Sequence, residues 1–194
     1  SILEERVPFL DGAAVRPGEH DLYFQPEQSD QTASLFEHCA RGLDLSLATG
    51  LHGLPLIGTG DWNDGMNRVG EAGKGESVWL GFFLFHGLQQ FAAVARGRDD
   101  AAFADECDAA AQALRGNLEA HAWDGDWYRR AWFDDGTALG SADNAECRID
   151  SISQSWSVLS GVGDASRSHA AMDAVYRRLV RRDDALVLLL APPF

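Results

Sequence analysis

Two aspartates three positions apart, Asp61 and Asp64, enclose a tryptophan and an asparagine within GTGDWNDGMNRVG, residues 58–70. Carboxyl groups can serve as general acids or bases. Trp62 beside acids and amides has the composition of a sugar site, where an aromatic face packs on the pyranose ring while polar groups bond its hydroxyls. The plainer reading is a turn, because Gly, Asp and Asn tolerate turn conformations and such aspartates are more often caps than catalysts. A surface turn, however, has no use for Trp62. Cleavage of a glycosidic bond normally needs one carboxyl as acid and a second as base or nucleophile. Asp61 and Asp64 sit too close on one loop to flank a sugar easily from opposite faces, whereas attack by phosphate, itself a nucleophile, requires an acid alone.

Other chemistries fit less well. The loop lacks the GK[ST] ending of a P-loop and follows no hydrophobic strand, which weakens a nucleotide site. His20, His38, His52, His86, His121 and His169 are scattered with no pair at ligand spacing beside a carboxylate, so no metal is expected. No Ser or Cys stands in a nucleophile elbow. Arg68, Glu76 and Trp79 follow the loop and are candidates for the acceptor side, with a helix cap for Glu76 and core packing for Trp79 as equal alternatives. Asp61 and Asn63 are candidates for bonding the loop internally, the reading favoured for Asp61. Arg148, Asp150 and Gln154 fall on one predicted helix, where Gln154 either faces a cavity or joins a buried polar network. Asp134 and Asp135 read as a turn.

These residues need a scaffold. The chain has 194 residues, 45% of them hydrophobic and 24% charged, enough for one sizeable core or part of a larger one. No run of about 18 apolar residues offers a membrane span, and ALVLLLAPPF is too short for a signal peptide or an anchor. A net charge of −14 argues against nucleic acid and anionic membranes as partners. The basic run RRLVRR at 177–182 reads as the charged end of a helix. Cys39, Cys107 and Cys147 lack metal-like spacing and are odd in number, so reduced thiols in a cytoplasmic setting are expected.

Residues 1–28, punctuated by Pro8, Gly12, Pro17, Gly18 and Pro26, read as an extended arm with short strands around LYFQ. Residues 29–194 read as a helical body. Ser29 and Asp30 are N-cap candidates for an amphipathic helix through QTASLFEHCARGLDLSLATG that ends at Gly50. A second helix from about Glu76 to Gly97 is apolar nearly all round and needs neighbours on several sides. An alanine-rich third helix runs from about Asp100 to His121. Residues 123–141, with DG at 124–125 and 135–136, read as a hairpin. Helices return at about 148–160 and at 164–182, the latter capped by Asp164. Antiparallel helix pairs whose loops gather at one end build an α/α toroid, with the loaded loop at its mouth.

GLPLIGTGDWNDGMNRVG followed by GKGESVWLGFF resembles the signature of glycoside hydrolase family 94, the inverting phosphorylases of cellobiose, chitobiose and related β-glucosides. HDLYFQPE, SLFEHCARGLDLSL, residues 125–161 and RRDDALVLLLAPPF are similar to the phosphorylase-like domain at the C-terminal end of cyclic β-1,2-glucan synthases. The resemblance covers essentially the whole chain. It implies a mainly α fold, a segment of an (α/α)6 barrel with a short β-hairpin excursion, incomplete at both ends. It also implies that Asp64 is the general acid that protonates the departing glycosidic oxygen, with a pKa raised by burial beside Trp62. Trp62 would line the subsite of the transferred glucosyl unit. Inorganic phosphate, a co-substrate with no resident cofactor, would attack the anomeric carbon from the other face and give α-glucose 1-phosphate.

Asp61, Asn63, Arg68, Glu76, Trp79 and Gln154 are the accompanying substrate-binding candidates. In the family a phosphate-binding histidine and threonine region follows the APPF point, and a substrate-holding arginine and aspartate precede residue 1, so the segment alone is expected to be inactive. The implied partners are a β-glucan oligosaccharide and phosphate, with a homodimer as is common among stand-alone relatives. The implied location is cytoplasmic, at the cytoplasmic face of the inner membrane for a membrane-bound parent. Two other functions stay open: a non-catalytic domain that binds β-1,2-glucan and sets its length, and a plain hydrolase that yields free glucose.

Overall fold

The structure is a computed structural model that describes residues 1–194 apart from 17, 18, 20 and 21, and for Asp64 the backbone alone. Pro17, Gly18 and His20 of the arm and the side chain of Asp64 therefore lie outside the described residues. The chain divides into two compact units, Ser1–Ala48 and Thr49–Phe194.

In the first unit a 3-10 turn, Ile2–Glu4, leads into β1 (Arg6–Asp11), which pairs antiparallel with β2 (Glu27–Ser34) from Arg6↔Ser34 to Asp11↔Glu27. The ladder claims residues 27–34, so the helix expected from Ser29 begins later. Ser34 is the actual N-cap of α1 (Leu35–Ser46), its Oγ accepting from the Glu37 amide at 3.2 Å. Backbone pairing outweighs the N-cap signal of Ser29 and Asp30, and the strand expected at LYFQ does not form. Phe9 of β1 stacks on His38 of α1 at 3.8 Å.

The second unit is mainly helical. β3 (Glu76–Ser77) runs directly into α2 (Val78–Arg96), and the connection of residues 97–100 turns the chain back as α3 (Ala101–His121). Asp100 caps α3 as expected, accepting from the Phe103 amide at 3.1 Å. Gly81 lets α3 approach closely, since a Cβ there would sit 3.1 Å from Leu118. Small residues on the facing stripes, Ala92, Ala95, Ala104, Cys107 and Ala111, are buried.

The hairpin follows as β4 (Ala131–Trp132) and β5 (Ala138–Leu139), and β3 joins them in a three-stranded sheet of order β3-β4-β5. β6 (Ile149–Asp150) precedes α4 (Ser151–Leu159), and Asp164 caps α5 (Ala165–Arg178). Asp150 therefore caps α4 from a strand, and Arg148 precedes it, rather than sharing one helix with Gln154. The basic run is split: Arg177 and Arg178 end α5, while β7 (Val180–Arg181) pairs with β8 (Leu186–Val187), and β9 (Leu190–Ala191) returns to β6.

α2 packs on α3 and α4, and α4 on α5, so helices form the body while β3 and β6 sit at the N-terminal ends of α2 and α4. α2 is long and apolar enough, by length and composition, to cross a membrane, but half of that stretch is buried inside the protein, as in a core helix. All three cysteines are free.

Candidate active site

The two legs of the loop lie against each other. Ile57 N donates to Gly75 O at 2.9 Å and Ser77 N to Pro55 O at 2.9 Å, while Leu56 bridges to Glu76. The legs meet at glycine contacts: a Cβ on Gly75 would lie 2.3 Å from Val69 O, and one on Gly70 2.5 Å from Ile57 Cγ2. Ile57, Met66 and Val69 anchor the loop in a core shared with Ala131, Leu139 and Cys147 of the hairpin region. Burial pushes the Cys147 thiol up to about 12, so it is an inert packing group.

Above this base the backbone of Asp64–Met66 forms a 3-10 turn capped by Asn63, whose Oδ1 accepts from Gly65 N at 3.1 Å. The sequence expectation for Asn63, bonding within the loop, describes this contact.

Asp61 reaches further than a local turn. Its side chain is fully buried against Arg130, with Arg130 Nη2 2.7 Å from Asp61 Oδ1. Ser77 Oγ donates to Asp61 Oδ2 at 2.7 Å, and Asn63 N donates to Asp61 Oδ1 at 3.2 Å. Arg130 also lies 3.5 Å, through Nε, from Asp150 Oδ2. Burial raises the Asp150 carboxyl to about 6, despite the opposing pull of the Arg130 charge.

The second leg is held by Asp134. Its carboxylate accepts from Ala72 N at 2.8 Å, Lys74 N at 2.8 Å and Gly75 N at 2.9 Å. Burial alone would raise its pKa, but these three donors keep it below the usual carboxylate range. Asp134 is thus a staple between hairpin and loop rather than a plain turn residue; Asp135, accepting from Thr137 N at 2.8 Å, is the turn residue.

Trp62 projects from the loop with 51% of its surface exposed. Its ring meets Trp79 edge-on at 6.5 Å; Trp79 stacks on Phe83 at 5.5 Å and meets Trp156 edge-on at 6.3 Å. Trp79 is nearly buried beneath this shelf, and its Nε1 has no hydrogen-bond partner among the described residues. Arg68 is exposed on the same loop.

Glu76 is not a helix cap, a role Ser77 takes by accepting from Leu80 N at 3.0 Å. It is almost fully buried and accepts from His52 N at 3.0 Å and Leu54 N at 2.9 Å, with His52 Nδ1 2.5 Å away. The His52 ring stacks on Trp132 at 4.1 Å. This pair lies along a cleft of about 500 Å³ that Lys74, Phe133 and Asp134 also line.

Gln154 is fully buried, and its amide is occupied by Tyr128 N, Tyr128 O and Asp150 O, each at 2.8 Å. That is the structural-network reading. The structure brings Asp61, Trp62, Asn63 and Trp79 together at the loop and sets Glu76 and Gln154 into polar clusters behind it. The residues that sequence reasoning passed over are Arg130, Ser77, Phe83 and Trp156. One signal was available for Arg130: an arginine pair inside the aromatic run WYRRAW demands a buried carboxylate partner.

The chain is 54% identical over 99% of its length to cyclic beta-(1,2)-glucan synthase NdvB of Rhizobium meliloti, and covers 7% of that protein. It is 36% identical over its full length to a solabiose phosphorylase of Paenibacillus borealis, covering 23% of it. It is 33% identical over 92% of its length to an N,N'-diacetylchitobiose phosphorylase of Vibrio furnissii, covering 20%. The chain therefore spans less than a quarter of each of these relatives. In fold it is similar to a crystal structure of a GH78 family rhamnosidase of Bacillus sp. GL1, with a TM-score of 0.58 and 19% identity over 74% of this chain and 15% of that one. Residues 10–194 match the catalytic domain of the glycosyl hydrolase 94 superfamily, and the chain belongs to that family.

Proposed function

We propose that the chain carries the acid loop of an inverting phosphorylase that cleaves β-1,2-glucan with inorganic phosphate to give α-glucose 1-phosphate. Asp64 is the general acid in this reading, Trp62 packs on the transferred glucosyl unit, and the helices form part of an (α/α)6 barrel. Phosphate supplies the nucleophile, so a single carboxylic acid suffices. The observation that carries the reading is the fate of the other loop carboxylate. Asp61 is buried and committed to Arg130 and Ser77, which leaves it unavailable as a second reacting group. That removes Asp61 as the second carboxylate a plain hydrolase would need. The β-1,2 linkage is supported by the 54% identity to the glucan synthase.

A non-catalytic, length-setting domain is the second reading, favoured by the same relative being named a synthase rather than a phosphorylase. The test is release of glucose 1-phosphate from short β-1,2-glucans plus phosphate by the full-length parent protein, with and without Asp64→Asn. The phosphorylase reading expects phosphate-dependent release that the substitution abolishes while glucan binding persists. Glucan binding without any release supports the length-setting reading, and release of free glucose supports the hydrolase.

A further inference from the structure

We infer that Arg130 is a positioning residue for the acid loop: by gripping Asp61 and Ser77 together it fixes the turn carrying Trp62 and Asp64 relative to the first turn of α2. The phosphorylase reading supplies what the turn is for; what Arg130 grips stands on the geometry alone.

Arg130 immediately precedes β4, and Ala131 of β4 pairs in register with Ser77 of β3. The strand pairing therefore delivers the guanidinium beside the N-cap of α2. Its Nη1 donates to Ser77 Oγ at 3.3 Å and its Nη2 to Asp61 Oδ1 at 2.7 Å, while Ser77 Oγ donates to Asp61 Oδ2 at 2.7 Å. The three side chains close a ring. From it one further bond, Asn63 N to Asp61 Oδ1, reaches the residue before Asp64. The remaining edge of the guanidinium faces Asp150, which caps α4 through Ile152 N at 2.8 Å. One cation thus references the loop to the starts of two helices. Gly140 lets the returning strand approach the Arg130 backbone, since a Cβ there would fall 2.4 Å from Arg130 N.

Stability alone does not account for this arrangement. Both Arg130 and Asp61 side chains are fully excluded from solvent. A buried ion pair of this kind is often no more stabilising than apolar residues of the same volume. What it supplies is direction: the planar fork of arginine fixes two acceptors at once, which the single ammonium of lysine does not.

The experiment uses the full-length parent protein and compares Arg130→Lys, Asp61→Asn and the double variant. Arg130→Lys keeps the buried charge and removes the fork. Positioning expects kcat for phosphorolysis to fall by about 100-fold in each single variant, the cost of displacing a catalytic group by about 1 Å. It expects KM for glucan and phosphate to change by less than about threefold, and the double variant to be no slower than the slower single one. An unchanged kcat in Arg130→Lys, or single effects that multiply in the double variant, overturns the inference. If Arg130→Lys does not fold, Ser77→Ala removes the third corner with both charges still paired; about a tenfold fall in kcat is then expected, and no fall overturns the inference. If the unmodified parent performs no phosphorolysis, the phosphorylase reading has failed, and amide exchange decides on the positioning role instead. Faster exchange of the Asn63 and Gly65 amides in Arg130→Lys, with α3 unchanged, supports it; exchange unchanged in the loop, or faster throughout, overturns it.

Discussion

The two legs of the acid loop are tied to the same hairpin by aspartates that work in opposite ways. Asp61, at the start, is buried against one guanidinium and one hydroxyl, whereas Asp134 receives the other leg with three backbone amides and keeps some contact with solvent. The first tie depends on a charge that has no alternative partner in water. The second depends on amide donors that water can replace. The first should therefore fail abruptly when altered, and the second gradually.

The sharpest way to break the contrast is Asp61→Ala, which leaves Arg130 buried with Asp150 as its one nearby carboxylate among the described residues. A loss of about 3–5 kcal/mol is expected in equilibrium urea unfolding. Asp150 adds a pH signature to this side of the loop. Its folded pKa of about 6 lies above the ordinary aspartate value of 3.8, so its contribution to stability is complete at low pH and declines as pH rises through that window. The decline amounts to at most about 3 kcal/mol, and Asp150→Asn should flatten it when urea midpoints are compared from pH 4 to pH 7.

Gly75→Ala tests the meeting of the legs themselves, where the new methyl would meet Val69 O at 2.3 Å and Gly70 Cα at 2.7 Å. A cost of about 1–3 kcal/mol is expected by the same measurement. On the amide side, Asp134→Ala should cost about 1–2 kcal/mol. Its sign with pH is the reverse of that of Asp150: a folded pKa held below 3.8 gives stability that is present above pH 4 and lost as pH falls, so Asp134→Asn should flatten the acid limb. The smallest effect on folding is expected for Trp62→Ala, under about 1 kcal/mol, because half of that ring is already exposed. Glucan affinity measured by calorimetry should nevertheless fall, if Trp62 packs on the sugar.

Much of the helical frame was legible in the sequence because it rests on local signals. Asp100 and Asp164 announce the starts of α3 and α5, and the apolar run after residue 77 announces a core helix. Where non-local pairing decides, local signals mislead. Ser29 and Asp30 look like caps, yet residues 27–34 pair with β1, and Glu76 looks like a helix start, yet it belongs to a strand beside the hairpin. The loop drew attention through its composition. Its support did not, since Asp61 and Arg130 are 69 positions apart and nothing in either neighbourhood names the other. Trp156 is hidden for the same reason: it joins Trp79 only because α4 packs on α2.

The aromatic shelf has an optical consequence. Trp62, Trp79 and Trp156 form a chain of indoles 6.5 and 6.3 Å apart, inclined at 67° and 83°. Chromophores this close and this far from parallel couple their excited states, so this patch contributes a dichroism signal of its own to the protein's spectrum. The outermost member stands on the loop. Movement of that loop relative to α2 changes the coupling between Trp62 and Trp79, giving the site an intrinsic optical label.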